Sequence, residues 1–271
     1  MLRWGAAPAP VCVPRPEELR DDYLTYASKP SVSLDRQPSC QLPGGSASGQ
    51  PVDTVTEQYD LAQMRALARR CDVTLTALLA AVMAQAISEL PGLPPLQDRP
   101  IRLMIPANLR RKFPSESLRN FSLYALPTIG PEELALPFPE LAGSIHRQLA
   151  EQLTTERLTG VMYTSTWLQT VWVARCMPLA MKERILRTGC ALFGERCSCL
   201  TLSNLGAVEM PDAVQPHVQQ IELALSPRRS SPYNCGVLSY RGTLAVTFSC
   251  RDGARALPQL FFQKCKDLLS D

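Results

Sequence analysis

Hydrophobic and polar positions fall into regular periods only from about residue 52 onward. Before that, prolines at Pro8, Pro10, Pro14, Pro16, Pro30, Pro38, Pro43 and Pro51 forbid long helices, and Gly44 to Gly49 is a flexible linker composition. Only Glu17 to Tyr26 predicts a short helix there. Residues 1–51 therefore read as a Pro/Gly/Ser-rich arm or linker, either packed in extended form across another surface or disordered. Residues 52–271 read as the folded body.

Val52 to Tyr59 alternates loosely and predicts a strand. Asp60 is a good N-cap for a helix in which Leu61, Met64, Leu67 and Ala68 recur at helical spacing. Cys71 to Val73 breaks it. Thr74 or Thr76 then caps a second helix, Leu75 to Leu90, which is apolar on nearly all sides and belongs deep in a core. Pro91 and Gly92 end it. Ile101 to Pro106 predicts a strand stopped by Pro106. Residues 107–119 predict a basic loop, and Asn120 to Leu126 another strand. Helical segments follow near 138–156, 160–176 and 178–193, with Gly194 as a C-cap. Ser198 to Ser203 is β-like, and Asn204 to Gly206 predicts a turn. Gln219 to Leu225, Cys235 to Tyr240 and Leu244 to Ser249 predict short strands, the last two joined by an Arg241-Gly242 hairpin turn. Leu257 to Leu269 closes the chain as an amphipathic helix. The order implies an α/β (layered α+β) fold: a mixed β-sheet covered by helices.

The 271 residues suffice for one large domain or two small ones, and 45% hydrophobic content fills a sizeable core. A net charge of +3 is too even for a nucleic-acid binder. The stretch Leu75 to Leu90 is too short and too polar to span a bilayer. No apolar run follows Met1, so a soluble, cytoplasmic protein with reduced cysteines is expected. Ten cysteines include no CxxC pair, and the two histidines, His146 and His217, lie far apart, so no metal site is expected.

Candidate chemistry is sparse. A Ser or Cys nucleophile needs a base, and the two histidines are the candidates. Neither has an HxxxD carboxylate: Ala150 follows His146 at that spacing and Ile221 follows His217. No glycine-rich phosphate loop occurs. Arg110-Arg111-Lys112 and Arg228-Arg229 are compact basic clusters, readable as solvated loops or as phosphate-binding groups.

Four segments together resemble one family. VTLTALLAAV (residues 73–82), RPIRLMIPANLR (99–110) running on to FPSESLRNF (113–121), LSNLG (202–206) and PYNCGVLSYRG (232–242) are similar to segments of the bacterial alcohol acetyltransferase-like branch of the CoA-dependent acyltransferase superfamily. That superfamily has the chloramphenicol acetyltransferase-like fold, and condensation domains of peptide synthetases are more distant matches. The resemblance implies two lobes with a tunnel between them. A histidine of an HHxxxDG motif on the N-terminal lobe deprotonates an alcohol or amine, which attacks the acyl-CoA thioester. Acyl-CoA, acetyl-CoA in the simplest case, would be a co-substrate rather than a bound cofactor.

This sequence holds no HHxxxD motif and resembles the C-terminal lobe alone. The resemblance implies a truncated product, half of a split enzyme or a domain of a longer protein, inactive by itself and partnered by the missing N-terminal lobe. The alternatives are a non-catalytic binding lobe and a condensation-type domain using carrier-protein thioesters. By resemblance, Ser203 and Asn204 reach the tunnel, or Asn204 and Gly206 merely shape a tight turn. Asn108, Arg110 and Asn120 are structural or tunnel residues, and Arg228 and Arg229 are candidates for the CoA phosphates. No residue of this chain is assigned as catalytic.

Overall fold

The computed structural model describes residues 13–29, 37–43, 52–96, 99–171, 176–189, 196–228, 231–251 and 254–270. Arg229 and Gly194 lie outside them. Local signals set the first elements of the body. Strand β1 (Val52–Asp60) runs directly into helix α3 (Leu61–Arg70), where the Asp60 carboxylate accepts from the Gln63 N–H at 2.7 Å. Asp72, at φ +54°, reverses the chain, and Thr74 caps α4 (Leu75–Ser88) by accepting from the Ala77 N–H. Of the two threonines weighed, Thr74 is the cap. Residues Ala77 to Ala84 of α4 are buried, so the helix is a core element. Each of Leu78, Leu79, Met83 and Ile87 contributes about 1.5–3 kcal/mol of burial.

The sheet has strand order β1-β7-β6-β5-β2-β3, with β4 also on β2. The strands are β2 (Ile101–Asn108), β3 (Ser122–Ala125), β4 (Thr128–Ile129), β5 (Leu200–Ala207), β6 (Tyr233–Tyr240) and β7 (Thr243–Arg251). β5 runs parallel to both β2 and β6; the other pairs are antiparallel. Arg241 and Gly242, at φ +49° and +82°, form the two-residue turn that joins β6 to β7.

Alternation along β6 and β7 separates two cores. Cys235, Val237, Val246 and Phe248 face a helical layer of α3, α4, α6 (Phe138–Gln152) and α9 (Ala256–Ser270). Leu238, Tyr240 and Ala245 face the opposite way, under Val208, Met210, Val218, Ile221 and Leu223. Both faces are covered, which is why β6 and β7 are buried along nearly their whole length.

Four expectations need correction. Pro106 does not stop β2, which continues to Asn108; the pairing with β5 covers only Leu103 and Met104, so Pro106 is laddered on one side alone. Gln219 to Leu225 is not a strand. It lies across the face of β6, held by side chains: the Leu225 N–H donates to Ser249 Oγ, and Asn234 Nδ2 donates to the Ser226 carbonyl. Asn204 to Gly206 is not a chain-reversing turn but a bulge within β5, with Gly206 at φ +84°. The helix expected to reach residue 156 ends at Gln152, because Thr154 caps α7 (Thr155–Thr170). Helices α5 (Pro131–Leu134) and α8 (Leu179–Gly189) complete the described helices of the body.

The described parts of residues 1–51 pack against the body. Helices α1 (Pro16–Leu19) and α2 (Asp22–Tyr26) lie over the loop 109–121 and α7. Tyr23 meets Phe121 edge-on at 5.3 Å, and its hydroxyl donates to the Ser122 carbonyl and accepts from the Ser122 N–H, taking the place of a strand partner for β3. Further on, Cys40 and Leu42 join the main core.

Candidate functional site

Because β2, β5 and β6 run parallel, their carboxyl ends share one end of the sheet, the usual place for ligands in α/β sheets. Here the β5 bulge turns the backbone aside. Asn204 shapes it with both ends of its amide: Oδ1 accepts from the Gly206 N–H at 3.0 Å and Nδ2 donates to Thr76 Oγ1 at 3.0 Å, tying the bulge to the start of α4. Gly206 has the positive φ the bulge needs, and its α-carbon faces the Arg111 guanidinium: a Cβ built there would lie 3.9 Å from Nη2. The basic loop Arg110 to Lys112 and the LSNLG segment thus meet at one place. The hydroxyl of Ser203, a half-buried residue paired with Gly236 of β6, makes no hydrogen bond among the described residues.

The other candidates at this end serve the scaffold. Asn108 accepts from the Arg110 N–H and caps a short 3-10 turn. Arg110 donates to the carbonyls of Ser117 and Arg119 at 2.7 and 2.6 Å and so closes the loop 109–121. Asn120 Oδ1 accepts from Ser122 Oγ.

Beyond the bulge, Ala207 of β5 and Tyr240 of β6 line a cleft of about 440 Å³. Its rim carries opposite charges, Arg65 and Arg241 against Glu209 and Asp212, over Leu61 and Met210. Sequence reasoning missed this cleft, since its residues come from three distant segments; the hairpin signal at Arg241 was the only visible pointer.

Arg228 is elsewhere. Its Nη2 donates to Ser198 Oγ at 2.8 Å, just before β5 begins, which puts it about 20–25 Å from the bulge at the rise of an extended strand. Around it, the Tyr124 phenol is pushed above its ordinary value by burial and by Cys197, an effect that the nearby Arg102 and Arg228 partly offset. Arg102 itself is fully buried, with Nη1 donating to the Gln37 carbonyl and Nε to Thr128 Oγ1. Arg228 and the tunnel candidates Ser203 and Asn204 therefore sit at opposite ends of β5.

The histidines do not form a catalytic pair with a carboxylate. His146 is half-buried on α6 with Nδ1 buried and without a hydrogen bond, and His217 is exposed in the 3-10 turn Gln215–His217. Among the described residues no group of His, Cys, Asp and Glu could hold a metal ion, and no single helix is long and apolar enough to cross a membrane.

No family model matches the chain, and no curated protein does either. Solved structures do match. TRI3 trichothecene 15-O-acetyltransferase from Fusarium sporotrichioides aligns with a TM-score of 0.57 at 11% identity, over 87% of this chain and 49% of that one. The EpoB cyclization-docking bidomain of a nonribosomal peptide synthetase from Sorangium cellulosum aligns at 0.57 and 12% identity, over 88% and 46%. The nonribosomal peptide synthetase FmoA3 aligns at 0.57 and 15% identity, over 86% and 23%. The chain has their fold. It is the mixed α/β fold class expected from the sequence, shared by condensation-domain and acyltransferase structures, and the chain spans about half or less of the length of each.

Proposed function

We propose that this chain is the lobe without the catalytic histidine in an acyltransferase of this fold, moving an acyl group from acyl-CoA to an alcohol or amine. The observation that carries the reading is coverage: almost nine-tenths of this chain aligns with less than half of an acetyltransferase, and no HHxxxDG motif occurs in its sequence. A histidine on a partner lobe would take the acceptor's proton. Ser203, with its hydroxyl uncommitted beside the bulge, is the residue best suited to donate toward the developing oxyanion, and Arg111 supplies positive charge beside Gly206. The groups at the bulge are donors and cations, which suit an anionic transition state and leave the base to be supplied from outside.

A second reading, condensation of acyl groups held on a carrier protein, draws on the likeness to FmoA3 and the EpoB bidomain and on the basic loop Arg110 to Lys112. The test begins with the coding DNA directly upstream of Met1. An in-frame or adjacent segment encoding HHxxxDG should copurify with this chain when co-expressed. The pair should transfer acetyl from acetyl-CoA, or in the second reading from an acetylated carrier protein. Robust transfer from acetyl-CoA by the pure chain alone would sink the proposal.

A further inference from the structure

The walls of the cleft beyond the bulge come from three distant segments, and hydrogen bonds fix them relative to one another. The Leu61 N–H donates to the Gly242 carbonyl at 2.9 Å, which ties the start of α3 to the β6–β7 turn. The Val208 N–H donates to the Ser239 carbonyl at 2.9 Å, which ties the segment after β5 to β6. Further along that segment, the Tyr240 hydroxyl reaches the Gln215 and Val218 carbonyls at 3.4 and 3.3 Å. The space so enclosed, about 440 Å³, falls within the size of small-ligand pockets, roughly 300–1,000 Å³.

Four exposed charges line this space, divided by element. The cations, Arg65 and Arg241, come from α3 and the β6–β7 turn, and the carboxylates, Glu209 and Asp212, from the segment after β5. Opposite charges around one cleft would be expected to close on each other. Among the described residues, none of the four makes an ion pair or a side-chain hydrogen bond. Between them lie the half-buried Leu61 and Met210. Arg241 carries a second signal. It takes φ +49° at the first position of the two-residue turn, a conformation that Gly, Asn and Asp adopt with less strain. The hairpin would close at least as well with glycine there, so the turn alone does not call for an arginine.

We propose that this cleft binds a small zwitterion of the amino-acid class. Its carboxylate is held by the Arg65 and Arg241 guanidinium groups, its ammonium by the Glu209 and Asp212 carboxylates, and its apolar part rests on Leu61 and Met210. A ligand with one charge alone satisfies only one pair and leaves the other facing its uncharged end, so both charges are required. Because the four side chains stay in contact with water, binding is weak, with a Kd on the order of 0.1–1 mM, and it weakens further as salt is added. The site needs neither acyl-CoA nor a second lobe, so its test stands apart from that of the acyl-transfer reading.

The test is titration of the full chain, labelled with nitrogen-15, with L-leucine and with L-leucyl-L-leucine, read by the amide signals of Ser239, Arg241 and Gly242. N-acetyl-L-leucine, which lacks the ammonium, and L-leucinamide, which lacks the carboxylate, are the controls. The expected result is a saturable shift of these amides with at least one of the two zwitterions, and binding of both controls weaker by about tenfold or more. Arg241→Gly should weaken zwitterion binding by about three- to tenfold while its urea unfolding midpoint stays at or above that of the wild type, because glycine relieves the positive φ. Glu209→Gln should weaken it similarly. No saturable shift with either zwitterion at about 10 mM would overturn the assignment, as would controls that bind as well as the zwitterions, or Arg241→Gly protein that binds like the wild type.

Discussion

Gly236, in the middle of β6, allows the segment 218–227 to lie on the sheet. A Cβ at this position would stand 1.9 Å from the Leu223 carbonyl oxygen and 2.8 Å from Leu223 Cγ. Ordinary contact begins near 3.5 Å, so in Gly236→Ala the covering backbone has to retreat by more than about 1 Å. The obstacle is main chain, not a side chain that can swing away. Retreat loosens Leu223, Ile221 and Val218 from Leu238, Tyr240 and Ala245, and it strains the Leu225–Ser249 and Asn234–Ser226 hydrogen bonds. Overpacking costs about 1–3 kcal/mol and each lost bond about 1 kcal/mol, so the expected destabilisation is about 3–5 kcal/mol. That is a large share of a typical domain's stability of about 5–15 kcal/mol. Urea unfolding followed by far-ultraviolet circular dichroism measures it, with Gly143→Ala as the control. Gly143 is inside α6 and a Cβ there meets nothing within 4 Å, so the same substitution should stabilise by about 0.8 kcal/mol through helix propensity. A Gly236→Ala protein within about 1 kcal/mol of wild type would refute the reasoning, because the segment would then not be lying on β6.

Asn204→Ala removes the link to Thr76 and the support of the Gly206 N–H, and should cost about 1–2 kcal/mol in the same unfolding experiment. Tyr23→Phe removes the hydroxyl that serves both polar backbone groups of Ser122; it should cost about 1–2 kcal/mol and speed hydrogen exchange at the Ser122 amide. Asp22 is 2% exposed, and although burial opposes its charge, the Ser115 hydroxyl and the Arg20 guanidinium hold its carboxyl below the usual carboxylate range. A depressed carboxylate gives its full stability above the unfolded value near about 4 and loses it as pH falls through the lower folded value. The wild-type unfolding midpoint should therefore drop more steeply below about pH 4 than that of Asp22→Asn, and parallel curves would count against this role.

What was legible in the sequence is what a few neighbouring residues decide. Asp60 and Thr74 cap their helices through bonds three residues long, and Arg241-Gly242 closes its hairpin with two positive φ angles. The buried face of α4 showed as an apolar run. What was misread depends on contacts across the sheet. Gln219 to Leu225 has a strand's composition, but β6 already pairs with β5 and β7, so the segment lies on the face instead. Asn204 and Gly206 are turn formers that a bulge uses equally well, and only the pairing of β5 with β6 on both sides of them separates the two outcomes. The Arg111 cluster was visible as charge, but not its neighbour Gly206, almost a hundred residues on.

The use of polar groups at the carboxyl end of β5 bears directly on what the chain can do. Asn108, Arg110, Asn120 and Asn204 each spend a donor or acceptor on the scaffold, fixing the loop 109–121 and the bulge. Groups committed in this way hold position but do not exchange protons with a substrate. At the bulge itself, among the described residues, the side chains left for chemistry are the Ser203 hydroxyl and the Arg111 guanidinium, a weak donor and a permanent cation that do not accept a proton at neutral pH, while Glu209 and Asp212 line the adjoining cleft. His146 belongs to the helical layer, with Nδ1 sealed from solvent, and His217 stands in water on the covering segment. An acyl transfer at the bulge would take its base from the cleft carboxylates Glu209 and Asp212 or from a second surface, and the bulge, held from α4 and from the loop alike, offers a rigid wall of donors.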